Sequence, residues 1–191
     1  GLPLALTIAG SSLGPRSPRR LATDLGAYGP VEPTERALWL RYTDQPEPTR
    51  RLLRRLALAG RASLGAAAAA ALLATDETEA TRHLAALSRA GLLDHVRGNR
   101  YRLHDLVRAF AHARLLDEEE PAERTAAQER LIVNYADLAD SVLRLVDGNM
   151  STRSDRFSPH GFTSLDEALR WLDDESSFIT ATLRQAEGVH E

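Results

Sequence analysis

The chain has 191 residues, 43% of them hydrophobic and 27% charged, enough for one large or two small domains with real cores. Its 24 basic residues are all arginine, and it has no cysteine. That excludes a lysine-bearing phosphate loop and a lysine Schiff base, and with them disulfides, thiolate zinc sites and cysteine nucleophiles.

Charge is unevenly placed. Residues 1–114 carry 17 Arg against 10 Asp and Glu, and residues 115–191 carry 7 Arg against 17. A basic part therefore precedes an acidic one, as two modules, as two faces that meet, or as two separately solvated surfaces. No run of 18 apolar residues occurs, so no membrane span is expected. The opening lacks a basic leader and a cleavage site, which makes it a poor signal peptide. A cytoplasmic setting is the expectation.

The opening GLPLALTIAG predicts the start of a buried helix, with Pro3 at an N-terminal position where its missing N–H costs nothing. So abrupt a start suggests a piece of a longer protein. Residues 11–33 hold four Pro and three Gly and read as a loop-rich connection. Thr34 can cap a helix through Arg41, with Leu38 and Trp39 facing inward. Pro46 and Pro48 break that pattern. A helix over 49–59 follows, TRRLLRRLALA, stopped by Gly60. Residues 64–73 predict a short alanine-rich helix whose small side chains permit close packing.

Asp76 and Glu79 have the spacing of a capping box. They open a helix to Ala90 with Ala80, Leu84, Leu87 and Ala90 inward, ended by Gly91. Alternation on either side of Gly98-Asn99 predicts a β-hairpin. Asp105 is the expected N-cap of the next helix, which turns Leu106, Phe110 and Ala113 inward. From Pro121 a long helix runs to about Val146, with Leu131, Tyr135, Leu138, Val142 and Leu145 on one stripe. Residues 147–163 read as an irregular polar loop. Ser164 and Glu167 then cap a last helix with Leu165, Leu169, Leu172, Ile179 and Leu183 inside.

The fold class is mainly α, with a winged helix (three helices plus a β-hairpin) flanked by helical segments. Three parts are expected: residues 1–33 as the end of a small helical domain and linker, 34–120 as the winged helix, and 121–191 as a helical region leading toward repeats.

None of the six histidines falls in an HExxH pattern. His104 and His112 lie eight apart with no third ligand nearby, a poor zinc site. There is no GxSxG, so no nucleophile stands in a marked setting. The run DEEE at 117–120 reads as a solvated helix end. No catalytic residue emerges, and the chain is not expected to be an enzyme by itself.

Winged helices often bind DNA, and a DNA-binding regulator is one alternative. The candidate recognition helix, 77–90, offers Arg82 and His83 against Asp76, Glu77 and Glu79, which phosphates would repel. Arg97, Arg100 and Arg102 stand on the wing, and Arg50, Arg51, Arg54 and Arg55 on another helix. A plain helical adaptor, in which His104 makes only a structural hydrogen bond, is the other alternative.

Four segments in order carry a resemblance. GLPLAL, the winged-helix order, AGLLDHVRGNRYRLHDLVRAFAHARL and LDEALRWLDDE together resemble the NB-ARC class of STAND nucleotide switches, in the form found in actinobacterial AfsR-type transcriptional regulators. The likeness covers most of residues 1–186. It implies a regulatory role in which the winged helix senses ADP or ATP held by an upstream P-loop ATPase domain and passes that state to an output.

Pro3 within Gly1-Leu2-Pro3-Leu4-Ala5 would lie against the nucleotide. His104, in Leu103-His104-Asp105, would contact the β-phosphate of ADP; leucine stands where the family's motif has methionine. Trp171 to Glu175 would open the repeat region. The P-loop and its carboxylates have no counterpart here, so this piece alone is not expected to bind nucleotide. The implied partners are the P-loop domain and the helical repeats of the same protein. DNA would be reached through another domain, and homo-oligomerisation stays open.

Overall fold

The structure is a computed structural model, and it describes residues 33–96, 99–146, 164, 166 and 168–173. The expected opening helix with Pro3, the connection before residue 33 and the loop 147–163 lie outside the described residues. So do the side chains of Val142, Leu145, Leu165, Glu167, Ile179 and Leu183. Among the described residues no helix is long and apolar enough to cross a membrane.

Helix α1 (Pro33–Thr43) starts on a proline, whose fixed φ suits a first helical turn, so Thr34 lies inside it. Leu38 and Tyr42 are buried, and Trp39 meets Phe110 edge-on with ring centres 6.1 Å apart. Helix α2 (Glu47–Leu56) begins earlier than expected, because Pro48 sits in its first turn, where no N–H is needed. It tightens into a 3-10 turn over Ala57–Ala59. Gly60 follows with φ 59°, a value that favours glycine.

Helix α3 (Ala66–Leu73) buries Ala69 and Leu72 completely. It ends through Thr75 N–H to Ala70 O at 3.1 Å and Ala74 N–H to Ala71 O at 3.3 Å, with Ala74 at φ 56°. Helix α4 (Glu77–Arg89) is capped as expected, the Asp76 carboxylate accepting from Glu79 N–H at 2.9 Å. Ala80, Leu84, Leu87 and Ala90 are buried. Gly91, at φ 70°, closes that helix with the hydrogen-bond pair of a glycine cap, Gly91 to Ser88 and Leu92 to Leu87.

Strands β1 (Asp94–His95) and β2 (Tyr101–Arg102) pair antiparallel, with Asp94 opposite Arg102 and His95 opposite Tyr101. Leu64 bridges Tyr101 on the other side through two 2.8 Å hydrogen bonds. Leu64 therefore belongs to this small sheet rather than to α3. Helix α5 (Asp105–Glu118) and helix α6 (Pro121–Val146) complete the described helices, apart from a helical stretch at 168–173. The architecture is mainly α.

Two inward faces differ from expectation. On α5 the buried residues are Val107, Phe110, Ala111 and Leu115, whereas Leu106 is 40% exposed and Ala113 is exposed. In the last stretch Ala168 and Trp171 are buried while Leu169 is exposed. Both segments carry apolar residues on more than one side, so spacing alone does not choose the core face.

One core runs from Leu38 through Leu53, Leu84 and Phe110 to Leu131, Tyr135, Leu138 and Trp171. The long helix and residues 168–171 thus share it with the hairpin unit. Ser63 ties the parts together. Its carbonyl accepts from Tyr135 OH on α6 at 3.2 Å and from the Arg100 guanidinium, and its hydroxyl accepts from Arg100 Nε at 3.1 Å. The Trp171 ring lies 5.1 Å from that guanidinium and 5.6 Å from the Tyr135 ring.

Candidate functional site

The residues that carry possible chemistry gather where β2 runs into α5. Leu103 is buried and anchors the junction. His104 and Asp105, the next two residues, are exposed. The expected cap is shifted by one residue: His104 occupies the N-cap of α5, with φ −61° and ψ 146°. Its Nδ1 accepts from Leu106 N–H over a long 3.4 Å. In a neutral ring with Nδ1 accepting, the proton sits on Nε2, which leaves that nitrogen as a donor.

Asp105 is the first helical residue rather than the cap. Its carboxylate takes Arg108 Nη2 at 2.7 Å and Arg61 Nη2 at 3.3 Å. The hydrogen bond from Arg108 holds this carboxyl below its ordinary value, aided by the charges of Arg61 and Arg108. Asp105 also lies in the first turn, where a helix dipole favours negative charge. The corner therefore sets two arginines, one imidazole and one carboxylate within a few ångströms of solvent.

In the other charged cluster Arg54, Arg55 and Glu119 are buried, while Glu47, Glu118 and Glu123 reach solvent. Arg54 donates from Nε to Glu119 at 2.9 Å, from Nη2 to Glu47 at 2.7 Å, and from Nη1 to Glu118 at 3.0 Å and to the Tyr42 hydroxyl at 2.6 Å. Arg55 donates to Glu119 at 2.8 Å, to Leu72 O at 2.8 Å and to Glu123 at 3.2 Å. Tyr42 in turn donates to Glu118. Burial and that hydrogen bond push the Tyr42 hydroxyl far above its ordinary value. Burial works against the charge on Arg54, but the bonds to Glu47, Tyr42 and Glu119 more than offset it. Burial likewise opposes ionisation of Glu47, yet Arg54 holds it below the usual carboxylate range.

The run at 117–120 is therefore not simply a solvated helix end: the Glu119 side chain is 5% exposed. The basic and acidic parts of the chain meet here. Sequence spacing missed this cluster because its bonds to Glu118, Glu119 and Glu123 join residues 64 to 68 apart.

The arginines weighed as phosphate contacts are largely committed elsewhere. Arg54, Arg55 and Arg100 are buried, and Arg50 and Arg51 face Glu47. Arg97 lies outside the described residues, as does Pro3. Among the described residues no group of three His, Cys, Asp or Glu could hold a metal ion. His83 instead meets Thr49 Oγ1 at 2.9 Å.

Two curated proteins resemble the chain over nearly its whole length. It is 32% identical over 210 residues to the regulatory protein AfsR of Streptomyces coelicolor, a match that covers 98% of the chain and 21% of that protein. It is 34% identical over 208 residues to the regulatory protein AfsR of Streptomyces griseus, with the same coverage. The chain thus spans about a fifth of the length of the curated relatives it matches. No family model matches, and no solved structure does.

Proposed function

We propose that the chain is part of an AfsR-type transcriptional regulator and that its hairpin unit is a winged helix that reads a nucleotide bound to an upstream P-loop domain. The observation that carries this reading is His104: an exposed imidazole at a helix N-cap with Nδ1 occupied by Leu106 N–H. The other nitrogen is then left as a donor for a diphosphate oxygen. Those residues fit the group the resemblance implies. Pro3 would complete the contact from the segment before residue 33.

Bound ADP would supply the anion that ties this unit to the P-loop domain. The chain's own part is to present the donor and fix its backbone. Leu103 anchors one side of His104, and α5 anchors the other. A ligand shifts a two-state switch only by its differential affinity for the two states. One charge-assisted hydrogen bond is worth roughly 1.5–3 kcal/mol, about tenfold to a hundredfold in population. That is enough to bias an output such as transcription. The chain itself would not be an enzyme, and its partners would be the P-loop domain and helical repeats of the same protein, in the cytoplasm.

The test is His104→Ala in the full-length regulator. ADP retention should fall by about tenfold to a hundredfold, and the output should shift with it. Unchanged retention and unchanged output would leave His104 as a cap in a helical adaptor. Calorimetry on the 191-residue chain alone should detect no ADP or ATP binding; micromolar binding would move the nucleotide site into this chain. Salt-dependent binding of the chain to duplex DNA would favour a DNA-reading winged helix instead.

A further inference from the structure

Asp105 holds two guanidinium groups, and it holds them unequally. Arg108, one turn further along α5, meets one carboxylate oxygen at 2.7 Å. Arg61 meets the other at 3.3 Å, and most of its side chain stands in solvent. Its backbone, by contrast, is pinned. Gly60 turns the chain at φ 59°, Ala62 N–H donates to Ala59 O at 3.0 Å, and Ala62 and Ser63 are buried. Arg61 is thus a movable charge on a fixed base.

The charge at this corner matters to any anion that approaches it. A neutral His104 ring brings a donor but no charge, and a carboxylate stands beside it in the chain. A diphosphate oxygen drawn to the imidazole therefore meets the negative charge of Asp105. Arg108 cancels that charge and no more. Net attraction needs a second cation, and among the described residues Arg61 is the one already on this carboxylate. The corner is also short of acceptors: Arg108 Nη1, shielded from solvent, has no hydrogen-bond partner among the described residues.

We infer that Arg61 is a second ligand of the diphosphate and exchanges Asp105 for a phosphate oxygen when the P-loop domain meets this unit. The inference rests on the nucleotide reading of His104 and deepens it. The imidazole recognises an oxygen, and the guanidinium recognises its charge. Leaving Asp105 costs little, because an exposed pair is screened by water and the carboxylate keeps Arg108. The planar fork can then take two phosphate oxygens at once.

The test follows ADP loss from the full-length regulator. Arg61→Ala should speed it about tenfold, a charge-assisted bond less the exposed pair that it replaces. Arg61→Lys should fall between parent and Arg61→Ala, since it keeps the charge without the fork, and Arg61→Glu should lose ADP fastest. Arg51→Ala, at a half-exposed arginine that faces Glu47, should retain ADP like the parent.

If His104→Ala loses ADP and the Arg61 series does not, the inference falls and the nucleotide reading stands. If neither loses it, the reading falls and takes the inference with it. Equal losses in Arg61→Ala and Arg51→Ala overturn the inference too, because they report surface charge rather than contact. Denaturant unfolding of the 191-residue chain with Arg61→Ala should overlay the parent's; clear destabilisation would make Arg61 part of the frame and overturn its role as a ligand.

Discussion

Arg54 and Arg61 each pair with a carboxylate of α5, yet they sit in opposite worlds. The Arg54 side chain is 2% exposed and shares Glu47, Glu118, Glu119 and Tyr42. The Arg61 side chain is 78% exposed and, among the described residues, meets Asp105 at 3.3 Å. The buried guanidinium lost its water and is held only because every face of the fork finds an acceptor; removing one partner strands the rest. The exposed pair is screened and bathed in competitors, and contributes little to folding. The same ion-pair chemistry thus builds the frame in one place and leaves exchangeable groups in the other. Only the second kind can trade a carboxylate for a ligand oxygen.

The comparison breaks first at Arg54. Arg54→Ala should cost about 3–5 kcal/mol, because Glu118, Glu119 and Tyr42 lose their common donor; thermal or denaturant unfolding of the chain would show it. A loss under 1 kcal/mol would mean that the cluster is no more structural than the exposed corner. Tyr42→Phe removes one donor to Glu118 and one acceptor from Arg54 and should cost about 1–2 kcal/mol by the same measurement.

Acid should act on the Arg54 cluster through its half-exposed carboxylate, Glu47. Glu47 has its folded-state value below its ordinary one. Its contribution is therefore present above that ordinary value and is lost as pH falls from there through the folded value. Unfolding midpoints measured from neutral pH downward should drop in this window, and Glu47→Gln should flatten that limb. The smallest effect belongs to the exposed corner: Asp105→Asn and Arg61→Ala should give unfolding curves that overlay the parent chain. A clear destabilisation there would make the corner part of the frame and weaken its candidacy as a site.

Local signals were readable in the sequence, and distant ones were not. Asp76 caps α4, Gly91 closes it, and the hairpin falls beside Gly98-Asn99, because each depends on residues a few positions apart. Leu131, Tyr135 and Leu138 lie inside as their period requires. The face of α5 was misjudged because Leu106, Val107, Ala109, Phe110, Ala111 and Ala113 surround the helix with apolar choices. Tertiary packing, not period, selected Val107 and Ala111. The cap slipped from Asp105 to His104 because both side chains can accept a backbone N–H, and Asp105 is drawn off by Arg108 and Arg61. The candidate histidine was legible; the buried arginine cluster that steadies the other end of α5 was not, since it joins α2 to the end of α5 and the start of α6.

The Ser63 carbonyl has a mechanical consequence. One oxygen receives both the tyrosine of the long helix and the arginine at the foot of β2, with an indole laid across the pair. An oxygen with both lone pairs spoken for acts as a pivot: a tilt about it keeps both bonds, whereas a slide along the helix axis must break one. The same oxygen thus ties residues of the long helix to the strand that ends one residue short of Leu103.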